Sequence, residues 1–254
     1  MKKWLVAVAV TAALGATAVQ AKEWKDVRIA VDVPYEPFEY KAPDGTLTGF
    51  EVDLGNAVCE NAKLNCSWVV QAWDGIIPGL KARKYDVIFS SMSVTPERAK
   101  QVLFSEPYYN TPSGYFAPKG TTINPSDASS LEGKRIGVQR GTIQDTHATD
   151  TFGKVAEVKR YTTGDDLVLD LQGGRLDIVL IDFPVGEASI LGGKDGDTFT
   201  AVGENIQLGG GVGAAFRKRD KDLAGIFNES LAEVKANGTY DEIRKKYFAY
   251  DIKM

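Results

Sequence analysis

Histidine and cysteine are scarce in this chain, which narrows the chemistry that it can perform. Its 254 residues include one histidine, His147, and two cysteines, Cys59 and Cys66. A zinc site or a Ser-His-Asp triad would have to rest on His147 alone, so we expect neither, and we expect no cofactor. Because His147 lies in a polar stretch, we interpret it as a surface residue.

Positive charge is not in excess either. Lys and Arg total 30 against 34 Asp and Glu, which gives a formal net charge of −4 at pH 7. Proteins that bind nucleic acid need a clear basic excess to neutralise phosphates, so we expect no nucleic-acid partner. The composition, 43% hydrophobic and 25% charged, is typical of a soluble globular protein of one large domain or two smaller ones.

A long apolar run occurs once, at the very start of the chain. A basic beginning precedes an almost uninterrupted apolar segment, Trp4 to Val19, and the small residues Val19 and Ala21 occupy the −3 and −1 positions of a cleavage site. We predict a secretory signal peptide over residues 1–21 and therefore a periplasmic protein. The alternative is an anchoring helix, but the segment is shorter than the ~20 residues that a bilayer span needs.

Export decides how the two cysteines are interpreted. In an oxidising compartment Cys59 and Cys66, seven positions apart, are expected to form a disulfide that braces a helix-to-strand connection. The alternative is a pair of buried free thiols, and either role is structural.

Strand-like and helix-like segments alternate through the rest of the chain, which predicts an α/β fold with mainly parallel sheets flanked by helices. The alternation runs through two cycles, so we expect two lobes in series. Crossings are expected near Tyr108–Ser113 and Gly203–Gly210, after which the chain returns to the first lobe. The predicted lobes comprise residues 22–110 with 208–254, and residues 111–207.

Three helix starts are predicted from capping residues. Asp74 is expected to cap a helix that carries Ile76, and Thr95 to cap another with Pro96 at its first position. Thr239 to Glu242 has the pattern of a capping box. Glu51, at the head of a further helix, is interpreted as an acid that complements the helix dipole.

Ligands of open α/β sheets bind beyond the carboxyl ends of the strands, so the polar and aromatic residues at those positions are candidates for a site. They include one arginine, two carboxylates, two aromatic rings, and several hydroxyls and amides, without any base paired to a nucleophile. This set suits recognition better than bond-making. Its members are Asp32, Tyr35, Trp73, Ser90, Ser91, Ser93, Arg98, Gln139, Thr142, Gln144 and Asp182.

An amino-acid zwitterion needs such a set. Arg98 can bind its carboxylate bidentately, together with the N-terminus of a helix that Thr142 begins. Asp182 can accept from its ammonium group. Tyr35 and Trp73 can enclose the side chain, and a cationic side chain would gain from their rings. Asp32 is left for the far end of the ligand, which is then expected to be a hydrogen-bond donor, most simply a cation.

Each candidate also has a structural interpretation. The serines could be turn residues, Arg98 a solvated charge, and Asp182 a helix cap, while Tyr35 and Trp73 could fill core space.

The chain resembles the periplasmic amino-acid-binding proteins of ABC importers, the polar amino-acid family. The resemblance covers nearly all of the exported chain, and its stretches are jointly specific although each alone is weak. They are VRIAVD (27–32), YEPF (35–38), GFEVDL (49–54), DGIIPGL (74–80), SSMSVTPER (90–98), FSEPYY (104–109), GT (141–142) and GTY (238–240).

Within that family the chain looks most similar to lysine/arginine/ornithine- and histidine-binding proteins, on the cysteine pair and the Ser90-Ser91-Met92-Ser93 run. The resemblance implies the type II periplasmic-binding-protein fold, two lobes joined by two hinge strands. It further implies ligand contacts at the candidates above except Gln139, closure on the ligand, and delivery to a membrane permease. We expect a monomer.

The chain departs from this resemblance at three places in the expected pocket. Trp73 stands where phenylalanine or leucine is common, Gln139 where leucine is frequent, and Ile143 where threonine is frequent. Arg98 and Asp182, which are expected to bind the α-carboxylate and α-ammonium groups of the ligand, are unaffected. The prediction that the ligand is an amino acid is therefore firmer than the prediction of which amino acid it is. Arginine, lysine, ornithine and histidine are expected first. An arginine-derived opine and glutamine stay open as alternatives.

Two other classes of function are possible on this pattern. An enzyme related to dehydratases would need a proton donor in the cleft, and no histidine is available for that task. A sensing domain would need a separate signalling partner. We therefore predict a binding protein that is not an enzyme.

Overall fold

The computed structural model describes residues 23–254, so the predicted signal peptide lies outside the described residues. The strands are β1 Asp26–Val31, β2 Tyr40–Lys41, β3 Leu47–Thr48, β4 Asn65–Val70, β5 Val87–Ile88, β6 Leu103–Phe104, β7 Ser113–Pro118, β8 Arg135–Gln139, β9 Glu157–Tyr161, β10 Ile178–Asp182, β11 Phe199–Ile206 and β12 Ala215–Phe216. The helices are α1 Phe50–Asn61, α2 Ile76–Lys81, α3 Pro96–Ala99, α4 Ile143–Phe152, α5 Gly164–Gln172, α6 Phe183–Gly186, α7 Lys221–Ala236 and α8 Thr239–Tyr247. No helix in this part of the chain combines the length and apolar character that a membrane span requires.

Two five-stranded sheets form the framework. The first has the order β4-β1-β5-β12-β6 and the second the order β11-β7-β10-β8-β9. In each sheet two neighbouring pairs are parallel and two are antiparallel. The α/β fold with two lobes is confirmed, but its sheets are mixed and not mainly parallel. The antiparallel pairs come from β6, β7, β11 and β12, the strands that flank the crossings.

The carboxyl ends of the parallel strands face the region where the two sheets meet. β1 ends just before Asp32, and β8 and β10 end at Gln139 and Asp182. The apolar residues of these strands are buried, as expected for parallel strands covered on both faces by helices. The polar residue at each strand end is therefore held by a rigid, buried strand.

A layer of aromatic rings fills the core of the first lobe. Phe38 stacks on Tyr109 with ring centroids 5.1 Å apart, and Phe89 stacks on Tyr108 at 4.8 Å. Gly49, just before α1, has a φ of 122°, and a Cβ there would collide with the carbonyl oxygen of Phe38. Glycine at this position lets α1 start directly against the loop that carries Phe38.

The predicted disulfide is confirmed. Cys59, near the end of α1, is bonded to Cys66 at the start of β4. It closes the short connection by which the chain leaves the helix and enters the edge strand of the first sheet.

The chain crosses between the sheets twice, once between β6 and β7 and once between β11 and β12. Both crossings fall where they were expected. The side-chain amides of Asn110 and Gln207 donate to each other reciprocally, each at 2.8 Å, and join the two crossings side by side. The lobe boundaries at 110/111 and 207/208 stay a prediction.

Two predicted caps are wrong. Asp74 lies inside a 3₁₀ turn, Trp73–Gly75, so α2 begins after Gly75 without a side-chain cap. α8 likewise begins after Gly238, in the left-handed conformation, and Thr239 donates its N–H to Asn237 instead of acting as a cap. Thr95, in contrast, accepts from the Arg98 N–H as predicted. In both cases a turn directly precedes the helix and takes the position where the predicted cap was expected.

Candidate functional site

One cavity between the two sheets brings together all the candidate residues. It is lined by the eleven predicted side chains and by two others, Glu39 and Ile143. The first sheet and its loops contribute Asp32, Tyr35, Trp73, Ser90, Ser91, Ser93 and Arg98. The second contributes Gln139, Thr142, Gln144 and Asp182.

Arg98 is held at the cavity by α3 and by the opposite lobe. Its guanidinium donates to the Ser93 carbonyl at 3.0 Å and to the Gly141 carbonyl at 3.4 Å. The guanidinium carbon also lies 5.1 Å from the centre of the Trp73 ring, within range of a cation–π interaction. Burial lowers the pKa of Arg98 to about 10, which leaves it charged at neutral pH.

The N-terminus of α4 lies on the same side of the cavity. Thr142 caps this helix by accepting from the Asp145 N–H at 3.1 Å, and its own hydroxyl donates to the Gln139 carbonyl at 2.8 Å. A helix start carries partial positive charge and free N–H groups. Together with Arg98 it makes this end of the cavity suitable for a carboxylate.

Asp182 is a buried carboxylate that faces the cavity instead of capping α6. It accepts from the Tyr35 hydroxyl and from the Gln144 amide, both at 2.8 Å, and no side-chain cap bond to α6 is formed. Burial raises the pKa of Asp182 to about 6, although the bonds from Tyr35, Thr111 and Gln144 and the charge of Arg98 oppose the shift. Its structural interpretation as a cap is therefore not supported.

Asp32 is the second carboxylate of the cavity. It accepts from the Gln139 amide at 2.7 Å, a bond that crosses between the two lobes. Burial raises the pKa of Asp32 to about 6, and the bond from Gln139 opposes this shift. Its backbone N–H donates to the Ser90 hydroxyl at 2.9 Å, which ties the end of β1 to the loop after β5.

The two aromatic rings come from the first lobe and are both anchored to the second. The Trp73 indole donates to the Gly141 carbonyl across the cleft at 3.2 Å, and the Tyr35 hydroxyl donates to Asp182. Both rings line the cavity, and their polar atoms already have partners. Their free faces are consequently apolar walls on which a side chain can stack.

Glu39 was missed by the sequence analysis. It lines the cavity, is 1% exposed, and accepts from the hydroxyls of Ser90 and Ser91. The one signal in the sequence is an acid between the aromatic residues Phe38 and Tyr40. Such a position gives no indication that the carboxylate turns inward to the two serines of the loop after β5.

Glu51 lies in the first turn of α1, as expected for an acid with a structural role, but it does more than complement the helix dipole. Its side chain is fully buried and accepts from the Ser91 N–H and from the hydroxyls of Tyr108 and Tyr109, each at 2.9 Å. Its burial is helped by Gly49, whose missing side chain lets the start of α1 lie against the loop that carries Phe38.

Ser91, between these two acids, has a φ of 49°. A residue other than glycine seldom adopts this left-handed conformation, at a cost of about 1–2 kcal/mol. The hydrogen bonds from its N–H to Glu51 and from its hydroxyl to Glu39 hold it there. Backbone strain at the cavity wall is thus offset by buried carboxylates.

His147 lies outside the cavity and is half-buried, not fully on the surface. Its Nε2 is 3.0 Å from the Tyr115 hydroxyl. Within residues 23–254 no group of three or more His, Cys, Asp or Glu side chains is arranged to hold a metal ion.

Comparison with known proteins gives the same picture over the whole described chain. Residues 27–250 match the family model of bacterial extracellular solute-binding proteins, family 3. The L-arginine-binding protein of Pseudomonas aeruginosa is 43% identical over 233 residues, 90% of each chain. The lysine/arginine/ornithine-binding periplasmic protein of Escherichia coli is 36% identical over 258 residues, 99% of each chain.

Solved structures agree with these relatives. An ancestral arginine-binding protein bound to arginine superposes with a TM-score of 0.83 at 31% identity, over 88% of this chain and 98% of the other. The ancestral arginine-binding protein bound to glutamine gives 0.84 at 32% identity, over 90% and 100%. Sequence and fold lead to one conclusion: the chain belongs to the bacterial extracellular solute-binding proteins of family 3.

Proposed function

We propose that this protein captures a cationic amino acid, arginine foremost, between its two lobes and delivers it to the permease of an ABC importer. The observation that carries the proposal is the arrangement of charge in the cavity. Arg98 and the N-terminus of α4 lie at one side, and the carboxylates of Asp182 and Asp32 lie at two other positions. A free amino acid with a positive side chain has the matching three charges.

The α-carboxylate is assigned to Arg98 and to the N–H groups at the start of α4. A guanidinium and a carboxylate form two parallel hydrogen bonds, which fix both position and orientation. Because Arg98 is buried, this pairing is screened less by water than a surface ion pair would be.

The α-ammonium is assigned to Asp182. Tyr35 and Gln144 hold this carboxylate in place from opposite lobes, so the ammonium finds a fixed acceptor. A bound cation lowers the free energy of the ionised carboxylate, which burial otherwise disfavours.

The ligand side chain is assigned to the space between Tyr35 and Trp73, with Asp32 at its far end. A guanidinium can stack on an aromatic face while its N–H groups donate to a carboxylate. Lysine, ornithine and histidine are related ligands with fewer donors. The L-arginine-binding and lysine/arginine/ornithine-binding relatives support this choice.

Glutamine is a second candidate. Its side-chain amide can donate to Asp32 as the Gln139 amide does at 2.7 Å. A solved structure of an ancestral arginine-binding protein bound to glutamine supports the idea that the Asp32 end of the cavity can hold a neutral side chain as well as a cationic one. Asp32 carries a charge that a neutral amide does not compensate, so glutamine ranks below arginine.

Family membership confirms that the protein works outside the cytoplasm, and its role there is binding and not catalysis. We further propose that the protein is a monomer without a nucleic-acid partner, consistent with its net negative charge. Closure couples capture to delivery, since contacts from both lobes to one ligand favour the closed form.

Calorimetric titration with arginine, comparing Arg98→Ala and Asp182→Ala with wild type, tests the proposal. Loss of one partner of a buried charge pair costs about 2–5 kcal/mol, so each variant should bind at least about thirtyfold more weakly. Arg175→Ala, which removes an exposed arginine far from the cavity, is the matched control. Wild-type affinity in either cavity variant, with a native circular dichroism spectrum, would contradict the assignment.

A further inference from the structure

Two buried carboxylates lie beneath the serines of the cavity. Glu39 accepts from the hydroxyls of Ser90 and Ser91 at 2.8 and 3.1 Å. Glu51 accepts from the Ser91 N–H at 2.9 Å. A single cavity residue, Ser91, therefore contacts both carboxylates.

Two tyrosine hydroxyls extend this network around Glu51. The Tyr108 hydroxyl lies 2.9 Å from each Glu51 oxygen. The Tyr109 hydroxyl lies 2.9 Å from Oε1 of Glu51 and 2.8 Å from Oγ of Ser91. Tyr109 and Ser91 thus connect the two carboxylates through an unbroken chain of oxygens.

Neither carboxylate has a cationic partner among the described residues. None of the ion pairs formed within residues 23–254 includes Glu39 or Glu51, and neither side chain is more than 1% exposed. Two ionised carboxylates in such a place are strongly disfavoured, because burial and like charge both favour the neutral form. Burial is accordingly the main cause that raises the pKa of Glu39 well above its ordinary value and that of Glu51 to about 7.

If the two contacts of the Tyr108 hydroxyl with Glu51 are counted as one bifurcated bond, the network has one more contact than its hydroxyl groups have protons. Each contact between a hydroxyl and another oxygen needs one proton, and the four hydroxyls of Ser90, Ser91, Tyr108 and Tyr109 carry one each. The contacts number five: Ser90–Glu39, Ser91–Glu39, Ser91–Tyr109, Tyr109–Glu51 and Tyr108–Glu51. One extra proton on a carboxylate makes every contact a hydrogen bond.

That proton has two equivalent places. On Glu39 it is donated to Ser91, whose hydroxyl then donates to Tyr109, and Tyr109 donates to Glu51. On Glu51 the same bonds run in the opposite direction. Exchange between the two arrangements is one shift along the chain, in which each oxygen passes its proton to the next and receives one from behind, so the proton belongs to the pair and not to one residue.

We propose that Glu39 and Glu51 share one proton beneath the cavity and that binding of a cationic amino acid expels it. The inference rests on the proposed function for its ligand, but the shared proton itself does not. Glu39 acts as a positioning residue for Ser90 and Ser91. The pair that it forms with Glu51 loses its proton, and so gains a negative charge, when a cationic ligand binds.

The expulsion follows from the position of Glu39 on the cavity wall beside Asp32. A cation there favours the ionised pair, because its field lowers the cost of a second negative charge. Among the described residues, the titratable groups that act on the pair are acids and phenols: Asp32, Tyr35, Tyr108, Tyr109 and Tyr240. Arg98 lines the same cavity, and its guanidinium donates to the carbonyls of Ser93 and Gly141 and not to either carboxylate of the pair. A neutral side chain supplies no such field.

Calorimetric titration at pH 7.5 in buffers of different ionisation enthalpy tests the coupling. At this pH Asp32 and Asp182, each with a pKa of about 6, are already largely ionised and contribute little. Arginine should release protons, approaching about one per site, and its affinity should rise with pH between 7 and 8.5 by linkage. Glutamine should release none. Equal release by both ligands, or no release by arginine, would overturn the coupling.

Glu39→Gln is the decisive variant. A glutamine at 39 can donate its N–H to Ser91 and accept from Ser90, so it takes the place of a protonated Glu39 and leaves Glu51 as the single carboxylate of the network, without a second negative charge to share a proton with. Proton release and the pH dependence of arginine affinity above pH 7 should both disappear. Glu60→Gln, an exposed charge removed from α1, is the control and should keep both.

Urea unfolding without ligand tests the shared proton separately. The raised pKa of the pair contributes stability that is present below the ordinary pKa of about 4.5 and is lost as pH rises toward 7 and above. Glu39→Gln should therefore gain stability relative to wild type between pH 5 and pH 8. The same difference at both pH values would overturn the shared proton. If arginine fails to bind at all, the proposed function and the coupling fall, while this comparison still decides the proton.

Discussion

The amide of Gln139 donates a 2.7 Å hydrogen bond to Oδ2 of Asp32 and joins the carboxyl ends of β8 and β1 across the cleft. The same amide donates to the Thr162 carbonyl at 3.2 Å, which fixes it in the second lobe. Asp32 therefore meets a side-chain donor from the opposite lobe, in addition to a backbone N–H of its own lobe, that of Trp73. The bond from Gln139 also opposes the effect of burial on the pKa of Asp32.

Arginine affinity should fall as the pH drops through about 6. The pKa values of Asp32 and Asp182 are both raised to about 6, so acid protonates the two carboxylates that face the two positive groups of arginine. A bound cation returns them to the ionised form, and binding therefore releases protons below that pH.

Gln139→Leu should move this fall to higher pH. Removal of the amide leaves Asp32 buried without its donor, so its pKa rises further. Dissociation constants for arginine, measured from pH 5 to 8 by titration, give the midpoint for wild type and variant. A midpoint in Gln139→Leu at or below that of wild type would contradict the role of this bond.

Asp32→Asn should separate cationic from neutral ligands. A hydrogen bond to a charged group contributes about 1.5–3 kcal/mol, so arginine should bind about tenfold to hundredfold more weakly. Glutamine should lose much less, because its amide can still meet the asparagine oxygen. Competition calorimetry with both amino acids measures the ratio. Equal losses for the two ligands would refute the place assigned to Asp32.

Removal of the disulfide should affect stability and leave affinity nearly unchanged. Cys59→Ser with Cys66→Ser opens a short loop at the junction of α1 and β4, away from the cavity. The loss should be about 2–3 kcal/mol of unfolding free energy, measured by urea denaturation. A large loss of arginine affinity in the folded variant would show that the brace also positions the site.

The residues at strand ends could be predicted because each follows a buried apolar run. Asp32, Gln139 and Asp182 stand immediately after or at the end of β1, β8 and β10, and a parallel sheet brings such ends to one edge. Local pattern was therefore sufficient to place these three residues at one cavity, and also to predict the Thr95 cap.

Long-range pairing and burial could not be predicted in the same way. β7 and β11 pair antiparallel across residues 113–118 and 199–206, and no local pattern marked either segment as a strand. Glu39 and Glu51 look like ordinary surface acids in the sequence. Their burial depends on the approach of α1 to a loop ten residues earlier, which the backbone freedom of Gly49 permits.

The reciprocal amides of Asn110 and Gln207 have a mechanical consequence. Two connections fastened side by side can bend together, but a twist of one lobe against the other would have to pull them apart. The lobes then move mainly by hinge bending about these two connections. A membrane partner that recognises the outer surface of the protein would therefore detect one variable, the angle between the lobes, whichever amino acid is bound.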